Sequence, residues 1–315
     1  MTPIHLGIST CPNDTFTFHA ILEQQVDLRG LTFDIELLDV EELNRRLFAG
    51  DFDVAKASFH AALLLAGDLD VLPVGSALGF GVGPLLLGSR TSGAPSAPRP
   101  GGGSDQHRVL CPGEHTTATL LYKLFHPDQG TVEQVVFSDI MPALETGAAD
   151  FGVCIHEGRF TWREHGLALV EDLGEVWERA TSTPLPLGGI LARSRLPADT
   201  TDVITHVLAD SLAYALANRE KTVSTMRRYA QELTEDVMFK HVDLYVNEWT
   251  ADLGETGRAA LAMLSQHAAR LGLVPVGTPP LQVFDRRASP HRHPDRDARS
   301  AGDVAPEPGT RTDAR

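Results

Sequence analysis

Ile8-Ser9-Thr10-Cys11-Pro12-Asn13-Asp14-Thr15 runs the end of an apolar strand into a proline turn, and Arg108-Val109-Leu110-Cys111-Pro112-Gly113-Glu114-His115 does the same further along the chain. Each is followed by a second shared signature: Ala49-Gly50-Asp51-Phe52-Asp53-Val54 in one case, Ala148-Ala149-Asp150-Phe151-Gly152-Val153 in the other. From Cys11 to Asp51 and from Cys111 to Asp150 the spacing differs by a single residue. A strand, a Cys-Pro turn opening a helix, and a helix leading into an Asp-Phe-x-Val strand therefore occur twice. This predicts two lobes built on one plan, with a ligand cleft between them.

The surrounding sequence supports an α/β reading. Apolar runs of strand length lie at Ile4 to Ile8, Phe33 to Leu38, Phe52 to Ala57, Val71 to Val74 and Pro84 to Leu87, with helical stretches at Glu41 to Ala49 and Phe59 to Ala66 between them. Asp39 and Ser58 carry side-chain oxygens suited to capping these two helices. A second set has strands near Val109, Val132 to Phe137, Phe151 to Ile155 and Leu169, and helices near Thr116 to Phe125 and Asp139 to Thr146, the latter closed by Gly147. Leu185 to Ala192 reads as a return strand. Helices at Ala198 to Asn218, Glu220 to Gln231, Glu235 to Trp249 and Glu255 to Leu271 follow, with apolar spacings that fit packing on the first lobe.

The expected organisation is lobe one from 1–90 plus 190–284, a flexible Pro/Gly-rich insertion at 91–105, lobe two at 106–189, and a disordered tail at 285–315. The chain would leave lobe one near Gly88 and return near Gly189, and these two crossings would form a hinge. In open α/β sheets ligands bind at the carboxyl ends of strands, and two facing lobes double that geometry.

A chain of 315 residues with 42% hydrophobic composition has material for two modest cores. The net charge is −15, and the tail from Asp285, with seven Arg against six acids, hides a body one unit more negative. Such a field repels phosphate backbones and anionic lipid, which argues against nucleic acid or stable membrane association and leaves a small anionic substrate held by local dipoles. The N-terminus shows no signal-peptide pattern and no apolar run spans a bilayer, so the expected location is cytoplasmic. Oligomerisation has no support in the sequence. The three cysteines, Cys11, Cys111 and Cys154, form no C-x-x-C pair. Cys11 and Cys111 read as small turn residues, with no base visibly paired to either.

His156 follows the apolar strand Asp150 to Ile155, at the carboxyl end where chemistry is expected. A neutral imidazole accepts a proton near pH 7 without metal or cofactor, and a purely structural hydrogen bond is the competing account. His156-Glu157 is no zincin motif, because Phe160 stands where a second His is required, and no metal or cofactor is expected. Gly79, Gly81 and Gly83 lead into Pro84 rather than a helix, so close backbone approach explains them better than dinucleotide binding. Lys56 and Ser58 end the strand that matches Ile155 to Glu157. The stretch from Pro112 to Ala118 opens a helix whose first-turn N–H groups favour a carboxylate, with the Thr117 hydroxyl added.

Seven ordered motifs resemble the 1,4-dihydroxy-6-naphthoate synthase family. They are Cys11 to Phe16, Glu42 to Arg45, Lys56 to Ser58, Gly79 to Leu85, Pro112 to Ala118, Ile155 to Thr161 and Leu185 to Gly189, and the likeness runs from about residue 4 to 284 apart from 91–105. The resemblance implies a type II periplasmic-binding-protein fold. It also implies a carbon–carbon lyase of menaquinone biosynthesis, converting cyclic dehypoxanthinyl futalosine to 1,4-dihydroxy-6-naphthoate with release of dihydroxyacetone. On the family pattern His156 is the proton acceptor, Lys56, Ala57 and Ser58 form one substrate-binding segment, and Thr117 with Ala118 forms another. Ala57, Gly158 and Trp162 depart from that pattern, and the insertion is extra. Chorismate dehydratase on the same fold and a non-enzymatic solute-binding protein are the alternatives.

Overall fold

In the computed structural model, residues 2–89, 107–156, 158–229 and 234–286 are described. The expected insertion at 91–105, Glu157 and the tail beyond 286 lie outside the described residues. The chain up to Phe284 forms one compact unit, and Asp285 begins another.

The first half supplies β1 (Ile4–Ser9), α1 (Pro12–Thr17), α2 (His19–Leu22), β2 (Phe33–Leu38), α3 (Val40–Ala49), β3 (Val54–Ser58), α4 (Phe59–Leu64), β4 (Leu69–Val71), β5 (Ala77–Gly79) and β6 (Leu85–Gly88). The middle supplies β7 (Arg108–Cys111), α5 (Thr117–Phe125), β8 (Thr131–Gln134), α6 (Phe137–Glu145), β9 (Phe151–Cys154), α7 (Gly158–Thr161), β10 (Ala168–Asp172) and α8 (Leu173–Thr181). The long strand β11 (Leu185–Arg193) then leads to α9 (Ala198–Ala217), α10 (Arg219–Tyr229), α11 (Glu235–Tyr245), α12 (Glu248–Ala251) and α13 (Gly254–Arg270).

The strands form two sheets, as the repeated plan predicts. One has the order β2-β1-β3-β11-β4 with β5 on β11, and the other has the order β10-β6-β9-β7-β8. In the first, β1 runs parallel to β2 and β3, while β11 returns antiparallel to β3. Every residue of β3 is buried, the mark of a strand covered on both faces. Helices α9, α10 and α11 pack on α1 and α2, so the C-terminal helices cover the first sheet as their apolar spacing predicts.

Several expectations change. Leu85–Gly88 pairs antiparallel with β9 and β10, so it belongs to the second sheet, and the chain crosses between sheets within Phe80–Pro84 rather than near Gly88. An all-apolar strand is buried equally well in either sheet, so its sequence does not select one. The expected strand from Val132 to Phe137 stops at Gln134, and Phe137 begins α6. The expected helix from Glu235 to Trp249 breaks at Val246. There Asn247 caps a new helix, accepting from Trp249 N while Thr250 Oγ1 accepts from Asn247 N. Asp39 caps α3 as predicted, but Ser58 makes no capping bond and instead accepts from Asn44 Nδ2 at 3.1 Å.

The two Cys-Pro turns are not structural equivalents. Leu6 faces Val54 across β1 and β3, whereas Val109 faces Phe151 across β7 and β9. With Val54 matched to Val153, that register sets Cys111 against Leu6, five residues short of Cys11. The helix starts agree, because Cys11 is the N-cap of α1 while Thr116 is the N-cap of α5. The Asp-Phe-x-Val match survives. The second turn is simply longer, and Cys111 ends as a strand residue whose thiol is pushed up to about 12 by burial.

Candidate functional site

The carboxyl ends of the parallel pair β1 and β3 face those of β7 and β9 across a cavity of about 110 Å³, with room for about four waters. Cys11, Lys56, Thr117, His156, His241 and Tyr245 are among the residues lining it. Ala57, Ser58 and Ala118 border it as well, so the fold gathers the proton-acceptor and substrate-segment candidates, whereas His115 is not among the lining residues. A larger hollow of about 520 Å³ lies along the edge strand β10, between Arg159, Arg163 and Arg179 and the acids Glu171, Asp172 and Glu175. Its Arg159 is already paired with Asp172 at 2.8 Å, and none of the candidate residues from the sequence lines it.

His156 sits two residues past β9 with φ of 53°, the left-handed region that a branched or bulky side chain enters only at a cost. That backbone turn aims the ring back at the first sheet. Its edge meets Phe137 at 4.8 Å, and its face lies nearly parallel to His241 at 6.0 Å and 17°. The Cys11 sulfur is 3.4 Å from Nδ1 and 3.8 Å from Nε2. Two such similar distances place the sulfur over the ring, because an in-line bond to one nitrogen would hold the other much farther away. Cys11 is therefore more than a turn residue. It is the first-lobe surface against which the imidazole rests.

Lys56 is buried rather than solvated. Its ammonium lies 2.6 Å from Asp14 Oδ1, with side-chain exposures of only 7% and 5%, and it reaches toward the Gly75 carbonyl at 3.5 Å. Asp14 also accepts from Ser9 Oγ and from Asn13 Nδ2. This cation is thus balanced by the protein before any ligand arrives, and among the described residues two of its three donors are used. Ser58 N donates to Asn44 Oδ1 at 2.9 Å, which fixes the strand end beside it. Ala57 pairs with Gly189 of β11 and contributes backbone and a small apolar face.

On the second-sheet side, Thr116 caps α5 by accepting from Thr119 N at 3.2 Å. The first-turn N–H groups of Thr117 and Ala118 have no carbonyl one turn back to bond, and the helix dipole makes that end attractive to an anion. The Thr117 hydroxyl donates to Leu187 O at 2.5 Å, so it joins α5 to β11 across the cleft. Further bonds cross beside it. His115 meets Glu41 of α3 through ring and backbone at 3.0 and 3.3 Å, and the His60 ring meets the Thr116 carbonyl at 3.2 Å. Burial, with Lys123 adding to it, pushes the His60 imidazole down to about 4, so it is neutral at pH 7. Gly83 carries the close backbone approach expected of the glycine run, since a Cβ there would lie 2.2 Å from Gly174 Cα.

Sequence reasoning did not single out His241, Tyr245, Asn44 or the Leu187 carbonyl. His241 has a readable signal: on α11 it falls among the apolar positions Met238, Val242 and Tyr245, a lone imidazole on a buried stripe. Tyr245 and Leu187 belong to elements whose position at the cleft depends on the packing of distant segments.

Two sheets facing each other through their strand ends, with bonds spanning the gap, define a binding-protein scaffold. The periplasmic aliphatic sulphonate-binding protein of Escherichia coli shares it with a TM-score of 0.59, at 13% identity over 90% of this chain and 94% of that one, a likeness of fold alone. A protein of Archaeoglobus fulgidus superposes with a TM-score of 0.79 at 29% identity, covering 86% of this chain and 98% of its own. The chain belongs to the menaquinone biosynthesis family, whose family model matches residues 4–270. A relative from Thermus thermophilus named 1,4-dihydroxy-6-naphthoate synthase is 39% identical over 90% of this chain and its own full length. One of the same name from Streptomyces coelicolor is 37% identical over 89% of this chain and 98% of its own. This chain is accordingly an enzyme of menaquinone biosynthesis on a periplasmic-binding-protein-like fold. No helix among the described residues is long and apolar enough to cross a membrane.

Proposed function

We propose that the chain converts cyclic dehypoxanthinyl futalosine to 1,4-dihydroxy-6-naphthoate with release of dihydroxyacetone, and that His156 is the general base. The observation that carries this reading is the placement of His156. It is the imidazole at a strand carboxyl end, bordering the cavity, with its ring lying across the cleft against Cys11. Proton removal by His156 triggers carbon–carbon cleavage, and aromatisation of the departing naphthoate drives it forward. The first-turn amides of Thr117 and Ala118 hold a substrate carboxylate. The remaining donor of Lys56, together with Ser58 and the backbone at Ala57, holds neutral oxygens, which suits a cation already balanced by Asp14. Bonds across the cleft favour a closed state that keeps water from the intermediate.

The test is an assay of purified protein with cyclic dehypoxanthinyl futalosine, followed by naphthoate absorbance. His156→Ala retains naphthoate binding and loses turnover by about 10²–10⁴-fold, the usual worth of a general base. Near-wild-type turnover by that variant refutes the role of His156. Turnover of chorismate instead moves the chain to the dehydratase, and binding of either compound without turnover makes it a binding protein.

A further inference from the structure

His241 is 2% exposed and borders the cavity, yet among the described residues neither ring nitrogen has a hydrogen-bond partner. A buried imidazole left without partners is destabilising, because it has given up its hydrogen bonds to water for none in return, so such a group needs a reason to be there. Packing does not supply one, because phenylalanine would fill the same place among the rings of His156, Phe160 and Tyr245 without that penalty. Nor does an ion pair: the charged or titratable groups acting on it are His156, which lies parallel at 6.0 Å, and Lys56, itself held by Asp14. Both disfavour a second positive charge, and burial is the largest influence in the same direction, so the ring is held well below its ordinary pKa and stays neutral.

A neutral imidazole offers one N–H and one bare nitrogen. We propose that His241 contacts the substrate directly, turning its ring to give that N–H to a substrate oxygen on which negative charge grows as His156 takes the proton. The assignment rests on the reaction proposed above and adds the group that complements the base. One imidazole accepts a proton and becomes positive. Its parallel neighbour remains neutral, because two imidazolium rings stacked in a closed cleft would repel. The unmet hydrogen-bonding capacity in the free protein is then matched by the ligand, so the interaction is strongest where it lowers the barrier.

The test compares wild type with His241→Phe, which keeps a flat ring and removes both nitrogens, and His241→Gln, which restores an N–H. Turnover falls about 10²–10³-fold in His241→Phe, the usual effect of losing one preorganised donor, while naphthoate affinity changes by less than about threefold. His241→Gln recovers at least about tenfold of that loss. Independently, ¹⁵N ring signals of histidine-labelled wild type that vanish in His241→Gln shift when 1,4-dihydroxy-6-naphthoate is added. Turnover of His241→Phe close to wild type, or unmoved ring signals, overturns the assignment. If His241→Phe does not fold, His241→Gln and the wild-type titration decide. Wild type that fails to consume the futalosine derivative overturns the underlying reaction instead, and the ring titration still reports whether His241 meets a ligand.

Discussion

Lys56 and Asp14 form a buried ion pair at 2.6 Å in the floor of the cleft, one contributed by β3 and the other by α1. The pair joins the two neighbouring strand ends of the first sheet, and Ser9 and Asn13 complete the hydrogen bonding of the carboxylate. Removing one partner leaves the other charged and dry, which costs about 3–5 kcal/mol, whereas removing both exchanges a balanced pair for a neutral one. Lys56→Met and Asp14→Asn should each unfold at markedly lower denaturant concentration, and the double variant should regain much of the loss. Chemical denaturation of the four proteins measures this, and strictly additive losses would contradict the pairing.

The His115–Glu41 contact holds the two sheets together from the outside of the cleft. Glu41→Gln removes the charged acceptor without emptying the position. Its expected effect is a more open average shape in small-angle scattering and a raised KM, with kcat changed less. An unchanged scattering profile and KM would mean that the contact does not bias closure.

Gly83→Ala drives a methyl group to 2.2 Å from Gly174 Cα and 2.3 Å from its nitrogen, both backbone atoms without a flexible end to yield. Forcing extra volume into such a contact costs about 1–3 kcal/mol or more, and about 2–4 °C of melting temperature follows each kcal/mol in a chain of this size. A melting curve that matches wild type would disprove the close apposition.

Stability should fall as pH drops from 6.5 toward 4, beyond what carboxylates contribute. His60 titrates near its ordinary value of 6.5 when unfolded and at about 4 when folded, so across this window the unfolded chain binds the extra proton. Stability from the neutral folded ring is complete above 6.5 and lost as pH falls through the window, by about 3 kcal/mol at most. His241 acts in the same direction. Melting temperature measured against pH for wild type and His60→Gln checks it, and equal slopes for the two would exclude His60 as the source.

Much of this was legible from residue order alone. Alternating strands and helices, the matched Asp51 and Asp150, and a histidine at a strand end led to two sheets and to the cavity between them. Leu85–Gly88 escaped because its burial fits either sheet, and only pairing with β9 decides. Cys11 and Cys111 misled because identical dipeptides fell in turns of unequal length, a difference set by five residues of loop. His241 went unseen because one polar residue on an apolar stripe acquires meaning only when another element, here β9 with His156, arrives beside it.

The crossing segment has a mechanical consequence. Gly81 N donates to Glu178 at 2.6 Å, Arg159 bonds the Gly83 carbonyl, and Gly83 lies against Gly174, so Gly81 to Pro84 is riveted to α7 and α8. On the other strand of the pivot, Ser182 ends α8 with φ of 55°, just before β11 begins at Leu185. The second crossing is tied to the same helix, because Trp177 Nε1 donates to the Pro184 carbonyl at 3.3 Å and Thr183 N to Thr181 Oγ1 at 3.2 Å. Rotation between the sheets would therefore turn on the backbone where each crossing meets its first-sheet strand, at Gly79–Phe80 and Pro184–Leu185. The enzyme thus has a built-in axis, and substitutions at those few backbone positions would tune how fast the jaws part without touching a single group that meets the ligand.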